Sequence, residues 1–247
     1  MRVGFFATCL VDLVRPAIGL SALKLLEQAG CTVEVPEAQT CCGQPAYNSG
    51  DAGTTRALAL NLLKTYEPFD YVVLPSGSCA ATIKGDYVDL FRDDPDLRAR
   101  FDALAAKTFE LTDFLVNVLK VERVPGRADG ATVTYHDSCS GYRYLGVHAQ
   151  PRKLLGMAGV QVNEMKGAQQ CCGFGGTFSV KYGDISGAIV EEKCQNIHDC
   201  GTGTVVLGDL GCILNIEGRL RRKGDTQTKV LHVAQVIAGD ADLSGSK

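Results

Sequence analysis

Continuous apolar runs and amphipathic stretches alternate along the chain. Arg2–Ala7 is β-rich, Val33–Val35 is a short strand, and Tyr71–Leu74 is an unbroken apolar run of the kind that fills a buried parallel strand. Between these, Pro16 stands where a first helical turn accepts proline, and Gly30 where a helix closes on glycine. Ala52–Tyr66, rich in Ala and Leu, reads as a further helix. Strands that alternate with helices predict parallel α/β layers.

The pattern then repeats. Cys9 and Cys139 are 130 residues apart, and Cys41 and Cys171, Cys42 and Cys172, and Gly43 and Gly173 keep that offset. Leu25–Val33 (LLEQAGCTV) matches Leu154–Val162 (LLGMAGVQV), and Val72–Cys79 (VVLPSGSC) matches Val205–Cys212 (VVLGDLGC). Small drifts in offset are what loop insertions and deletions produce. Each half reads as strand, helix, strand, Cys-Cys-Gly loop, helix, third strand, and a cysteine opening another helix. The expectation is an α/β fold of two duplicated, doubly wound parallel halves related by a pseudo-twofold. The halves are 1–125 and 126–247, joined near Val121–Gly130 (VERVPGRADG).

Composition narrows the function classes. The chain has 247 residues, 45% hydrophobic, enough to fill a real core. Its 25 basic and 28 acidic residues carry no long like-charge block, which argues against a nucleic-acid surface or a polybasic anchor. A short Ser/Gly stretch ends the chain at Ser244–Lys247. The start MRVGFFATCLVDLV imitates a signal peptide, but Asp12 interrupts the apolar run and no small-x-small site follows. No stretch approaches the roughly 18 apolar residues that a span requires. A cytoplasmic protein, at most peripherally held at a membrane by a partner, is expected.

Eleven cysteines carry the candidate chemistry. Parallel sheets place their sites beyond the carboxyl ends of the strands. Cys9, Cys79, Cys139 and Cys212 each follow a predicted strand, and the Cys41-Cys42 and Cys171-Cys172 pairs follow the middle strand of each half. Four thiols per half should therefore converge on one edge. Disulfides belong mainly to oxidising compartments, and nothing here signals export. Structural zinc usually takes ligand pairs spaced by two to four residues, and the chain has no Cys-x-x-Cys. Adjacent cysteines suit several iron atoms better than one ion, so iron–sulfur clusters fit best, with zinc at one site as the alternative. Gly43, Gly173, Gly175 and Gly176 let backbone N–H groups approach the sulfurs, and a helix beginning near Thr177 would add its positive end. GFGG does not follow the dinucleotide fingerprint.

The two copies of a lone cysteine, a Cys-Cys-Gly and a later cysteine occur with CGQPAYNSG, PSGSC, CCGFGGTFSVK and LNIEGRL. Together they resemble the CCG, or cysteine-rich, domain family, over nearly the full length. That family includes the cysteine-rich component of heterodisulfide reductase, the iron–sulfur subunits of glycolate oxidase and of anaerobic glycerol-3-phosphate dehydrogenase, and lactate-utilisation proteins, to which the likeness is nearest. The resemblance implies one [4Fe-4S]-type cluster per repeat, cubane or noncubane, held by Cys9, Cys41, Cys42 and Cys79 and by Cys139, Cys171, Cys172 and Cys212. It also implies an electron-transfer subunit of a three-protein system oxidising L-lactate to pyruvate, an oxidoreductase component rather than a complete enzyme. Its partners would be a ferredoxin-like iron–sulfur protein and a third subunit. A heterodisulfide-reductase-like thiol redox subunit, or a subunit of another 2-hydroxy-acid (glycolate) oxidase, is the alternative.

Two positions depart from the reductase pattern. Ser76 and Asp209 stand where a first Cys of Cys-x-x-Cys would be, leaving four motif cysteines rather than five in each half, and each is either an oxygen ligand or, by preference, a helix cap. Cys31 aligns with Val160 and reads as packing. Cys194, His198 and Cys200 share a predicted helix and have no counterpart in the first half. His136, three residues before Cys139, is a candidate catalytic or sulfur-directed group, although the first half has Phe6 there. Arg143 and Lys181 flank the second motif as candidate anion contacts.

Overall fold

β1 (Arg2–Phe5), β2 (Thr32–Glu34), β3 (Tyr71–Leu74) and β4 (Thr108–Glu110) form one sheet in the order β2-β1-β3-β4. β5 (Thr132–His136), β6 (Gln161–Val162), β7 (Thr204–Leu207) and β8 (Lys229–His232) form a second in the order β6-β5-β7-β8. Every pairing is parallel. The computed structural model describes residues 1–128 and 130–244. Asp129, within the expected joint, and residues 245–247 of the Ser/Gly end lie outside the described residues.

The elements follow local chemistry. Pro16 opens the helix Pro16–Gln28, where its fixed φ suits the first turn and its missing N–H costs nothing. Gly30 follows with φ of 85°, and Asp51 caps Ala52–Tyr66 by accepting from the Thr54 N–H at 3.0 Å. The strand at Val33–Val35 begins one residue earlier, at Thr32. Each half also has a fourth strand beyond the three that the sequence pattern marks. β4 is only three residues long and ends on a charged one, so its apolar rhythm is too brief to stand out.

Alternation along the strands builds the layers. Val3, Phe5 and Val73 of the first sheet face one way, together with Val133, Tyr135 and Val206 of the second, into a single apolar cluster. The helices Pro16–Gln28 and Ala149–Met157 bury Leu25, Leu26, Leu154 and Leu155 in that shared layer. Val72 and Leu74 face away into a first outer core, and Val205 and Leu207 into a second. Each sheet is thus covered on both faces, as all-parallel sheets require.

Packing across the halves is reciprocal. Pro16–Gln28 lies against Val233–Ala238 after β8, and Ala149–Met157 lies against the turns of 111–118 after β4. The helix Gly77–Ala81 packs on Cys139–Leu145, and Cys9–Val14 packs on Leu210–Arg222. This exchange is the pseudo-twofold expected from the repeat.

Candidate metal centres

In both sheets the chain reverses direction between the first and third strands, β1 with β3 and β5 with β7. Such a switch point leaves a crevice at the carboxyl ends of those strands. Cys9 opens a helix just past β1, and Cys79 lies in the helix just past β3; the Cys41-Cys42 loop arrives from β2. Cys139, Cys212 and the Cys171-Cys172 loop occupy the same places around β5, β7 and β6. Thr8, just ahead of Cys9, is held at φ of 64°, a strained conformation for a non-glycine residue that persists only where its surroundings enforce it.

The thiols of each set meet. Cys9 Sγ lies 3.7 Å from Cys41 Sγ. Cys41 and Cys79 both act on the Cys42 thiol and, with burial, push it up. In the second set Cys139 and Cys172 act on Cys171, and Cys171 and Cys212 on Cys172. All eight are free thiols. Four of the eight cysteines line each of two cavities, and among the described residues His136, Cys172 and Cys212 are the group whose ligand atoms all lie within 4.8 Å of one another.

One sulfur in each set is held more acidic than its ordinary value. The Cys41 thiol is held well below its ordinary value because Cys42 and Cys9 donate to it, and the Gly43 N–H, 3.4 Å away, adds to this. Cys171 is lowered in the same way by Cys139, Cys172 and the Gly173 N–H at 3.3 Å. Donation to Cys41 and burial push Cys9 up, and donation to Cys171 and burial push Cys139 up. Gly43 and Gly173 adopt φ of 77° and 84°, the left-handed turn that aims their amides at the sulfur two residues back. The Tyr87 hydroxyl donates to the Cys42 carbonyl at 2.5 Å and Asn215 donates to the Cys172 carbonyl at 2.8 Å, fixing each pair's backbone.

Two cavities open onto the sets. One of about 140 Å³ is lined by Cys9, Cys41, Cys42 and Cys79. Another of about 650 Å³ is lined by Cys139, Cys171, Cys172 and Cys212, with Gly175 beside them. Phe174, Gly176 and Asp209 line both and form the wall between them. The helix expected near Thr177 runs only from Thr177 to Lys181 before the long helix Gly183–Cys200 begins.

Ser76 and Asp209 act as caps. Ser76 Oγ accepts from the Cys79 N–H at 3.3 Å, and Asp209 Oδ1 accepts from the Gly211 N–H at 3.1 Å. His136 is buried, and neither ring nitrogen has a hydrogen-bond partner among the described residues. Its ring lies within 4.8 Å of both Cys172 and Cys212 sulfurs, and burial pushes its pKa down to about 3, holding it neutral. Cys31 packs in the shared core. Cys194 Sγ points to the Ile216 carbonyl at 3.8 Å, Cys200 Sγ to the Asn163 carbonyl at 3.2 Å, and His198 Nε2 pairs with Asp225 at 2.7 Å. These three do not share a site. Arg143 and Lys181 are exposed.

Sequence reasoning missed Lys193. It is 1% exposed, and its ammonium donates to the Gly167 carbonyl at 2.5 Å. Burial lowers its pKa, while the charges of Cys172, Cys212 and Cys171 oppose that shift. Within EEKCQN on an amphipathic helix, a lysine looks like part of the solvated face.

Comparison with known proteins follows the same lines. A family model for the CCG cysteine-rich domain matches residues 3–84 and again 133–217. The lactate utilization protein A of Geobacillus sp. strain WCH70 is 47% identical over 238 residues, covering 96% of this chain and 99% of the relative. That of Bacillus subtilis strain 168 is 46% identical over 238 residues, covering 96% and 99%. Among solved structures, a hypothetical protein from Helicobacter pylori shares the fold with a TM-score of 0.63 at 12% identity. The likeness covers 98% of this chain and 49% of that one.

Proposed function

The chain belongs to the CCG cysteine-rich domain family, and from that premise we propose that it serves lactate utilisation as the iron–sulfur electron-transfer subunit of a system oxidising L-lactate to pyruvate. The observation that carries this reading is the gathering of four thiols in each half, with a glycine amide donating to one sulfur of each set.

The donor sets fit iron–sulfur chemistry. Thiolates are soft ligands, and each set contains two adjacent cysteines, which one tetrahedral zinc would strain to accept together but several neighbouring iron atoms would not. Cys9, Cys41, Cys42 and Cys79 would hold the first group, and Cys139, Cys171, Cys172 and Cys212 the second. An iron–sulfur cluster, when bound, supplies storage of one electron at a time. The amides of Gly43 and Gly173 offset negative charge on Cys41 and Cys171, while Gly175 and Gly176 keep the approach to the second set free of side chains.

The repeats divide at 1–125 and 126–247. The chain contains no ferredoxin-type Cys-x-x-Cys-x-x-Cys run, so a ferredoxin-like iron–sulfur protein and a third subunit are its proposed partners. No described helix is long and apolar enough to cross a membrane, and we place the protein in the cytoplasm. One observation favours a second reading, as a thiol–disulfide redox subunit: the 650 Å³ cavity reaches Cys139 and Cys171 directly. EPR of the anaerobically purified chain with its partners separates the two. Added lactate should reduce the clusters under the first reading, whereas a perturbed signal on adding disulfides alone would favour the second.

A further inference from the structure

The two sites occupy equivalent places in the repeat but have unlike surroundings. Ahead of Cys9 the strand end carries Phe6; ahead of Cys139 the same position is His136. Beneath each Cys-Cys-Gly loop the long outer helix presents a second difference. A Cβ on Gly43 would meet Leu58, and one on Gly173 would meet Ile189, which makes those two residues counterparts. Four residues further, one turn along the same helix face, stand Leu62 in the first half and Lys193 in the second.

Phe6 and Leu62 pack with Cys42 in a single apolar cluster. The first site therefore has hydrocarbon below it. The second site has a buried ammonium, held on the Gly167 carbonyl and acted on by the charges of Cys172, Cys212, Cys171 and Asp137, and an imidazole within 4.8 Å of the Cys172 and Cys212 sulfurs. Both His136 nitrogens lack partners among the described residues. The Ala168 carbonyl favours the protonated ring but stands outside hydrogen-bond geometry, and it already accepts from the Asp137 N–H at 3.1 Å. A buried donor left unpaired in this way requires explanation, and a sulfur of a bound cluster supplies the acceptor.

We propose that the two sites are electrostatically unequal, and that Lys193 and His136 set the second one to the higher reduction potential. This rests on both sites holding iron–sulfur clusters. Adding an electron adds one negative charge. In a buried, weakly screened environment a fixed cation offsets that charge, and an N–H directed at sulfur does the same more weakly. Phe6 and Leu62 provide neither, so the amide that Gly43 turns on the first site, matched by Gly173 at the second, gets no such support there. With clusters held at both sites, an electron delivered to the first would move to the second. The first site loses one electron, the second gains one, and no bond or proton changes place.

The test is an EPR-monitored potentiometric titration of the full chain, purified and reconstituted anaerobically. Cys41→Ser and Cys171→Ser each remove one signal and so assign the other. The wild-type chain should show two midpoint potentials, the second site's being the higher. Lys193→Met should move that midpoint to lower potential and leave the first in place; Lys193→Arg, which keeps the charge, should retain it, and His136→Phe should lower it as well. A single shared midpoint, a higher first site, or a Lys193→Met variant that moves both or neither would overturn the inference. The wild-type titration decides the inequality even if a buried variant fails to fold. A protein lacking iron and acid-labile sulfide would overturn the cluster reading itself, and this inference with it.

Discussion

The Ser76 hydroxyl donates to Asp209 Oδ2 at 3.0 Å, joining two residues that occupy the same place in the two repeats. The Ser78 N–H reaches the same carboxylate oxygen at 3.0 Å, and the Gly211 N–H takes the other. The carboxylate thus ties together the helices that carry Cys79 and Cys212. Its oxygens are occupied by that task, so Ser76 and Asp209 serve as caps and as a strut between the two sites.

Replacing Ser76 with Ala should lower stability by about 1 kcal/mol, the usual worth of a lost cap, and leave iron content unchanged. Asp209→Ala should cost about 2–4 kcal/mol, because it takes the acceptor from the Ser78 and Gly211 amides. Urea denaturation and iron analysis of the folded variants check both. A folded Ser76→Ala protein that has lost iron would make the hydroxyl a ligand.

Cys171→Ser and Cys172→Ser should each abolish the visible absorption and iron of the second site. Cys200→Ser should retain both, since its sulfur is turned to the Asn163 carbonyl. Absorption spectra with colorimetric iron determination distinguish the variants.

The thiol sets were legible in the sequence because a duplicated fold repeats its ligands at a nearly constant offset, and because cysteines just past strands end up at one sheet edge. Ala52–Tyr66, Tyr71–Leu74 and the Pro16 helix start were legible from local chemistry alone. β4 and β8 were not, being short strands that lead directly into helices. Lys193 and the Ser76–Asp209 bond were hidden for another reason. Whether a polar side chain is buried, and what it meets 133 residues away, depends on tertiary packing and leaves no periodic trace.

Glu110 gives a pH prediction. It is fully buried, and burial raises its pKa to about 7 despite donation from the Thr112 hydroxyl and the Thr112 and Asp113 amides. Because the folded pKa lies above the ordinary 4.5, the stability it contributes is complete below about pH 4.5 and is lost as pH rises from there through about 7. Glu110→Gln should flatten the stability profile between about pH 4.5 and 7 and stabilise the protein at pH 8 by up to about 3 kcal/mol. Denaturant midpoints across that range check it; an unchanged slope would contradict the assignment.

Gly77 lies where the helices carrying Cys79 and Cys139 cross. A Cβ there would sit 2.9 Å from the Gly141 Cα, backbone that cannot swing aside. Gly77→Ala should cost about 1–3 kcal/mol by forcing the helices apart, with iron loss at both sites rather than one. Thermal unfolding and the two assigned EPR signals report it. Loss confined to the first site would mean that the crossing does not couple them.

The most direct measurement is iron, acid-labile sulfide and zinc in the anaerobically purified chain. Two clusters held by separate thiol sets predict iron and sulfide together, with each falling by roughly half in Cys41→Ser and in Cys171→Ser. Zinc without iron or sulfide, or full loss of metal from either single variant, would contradict the account.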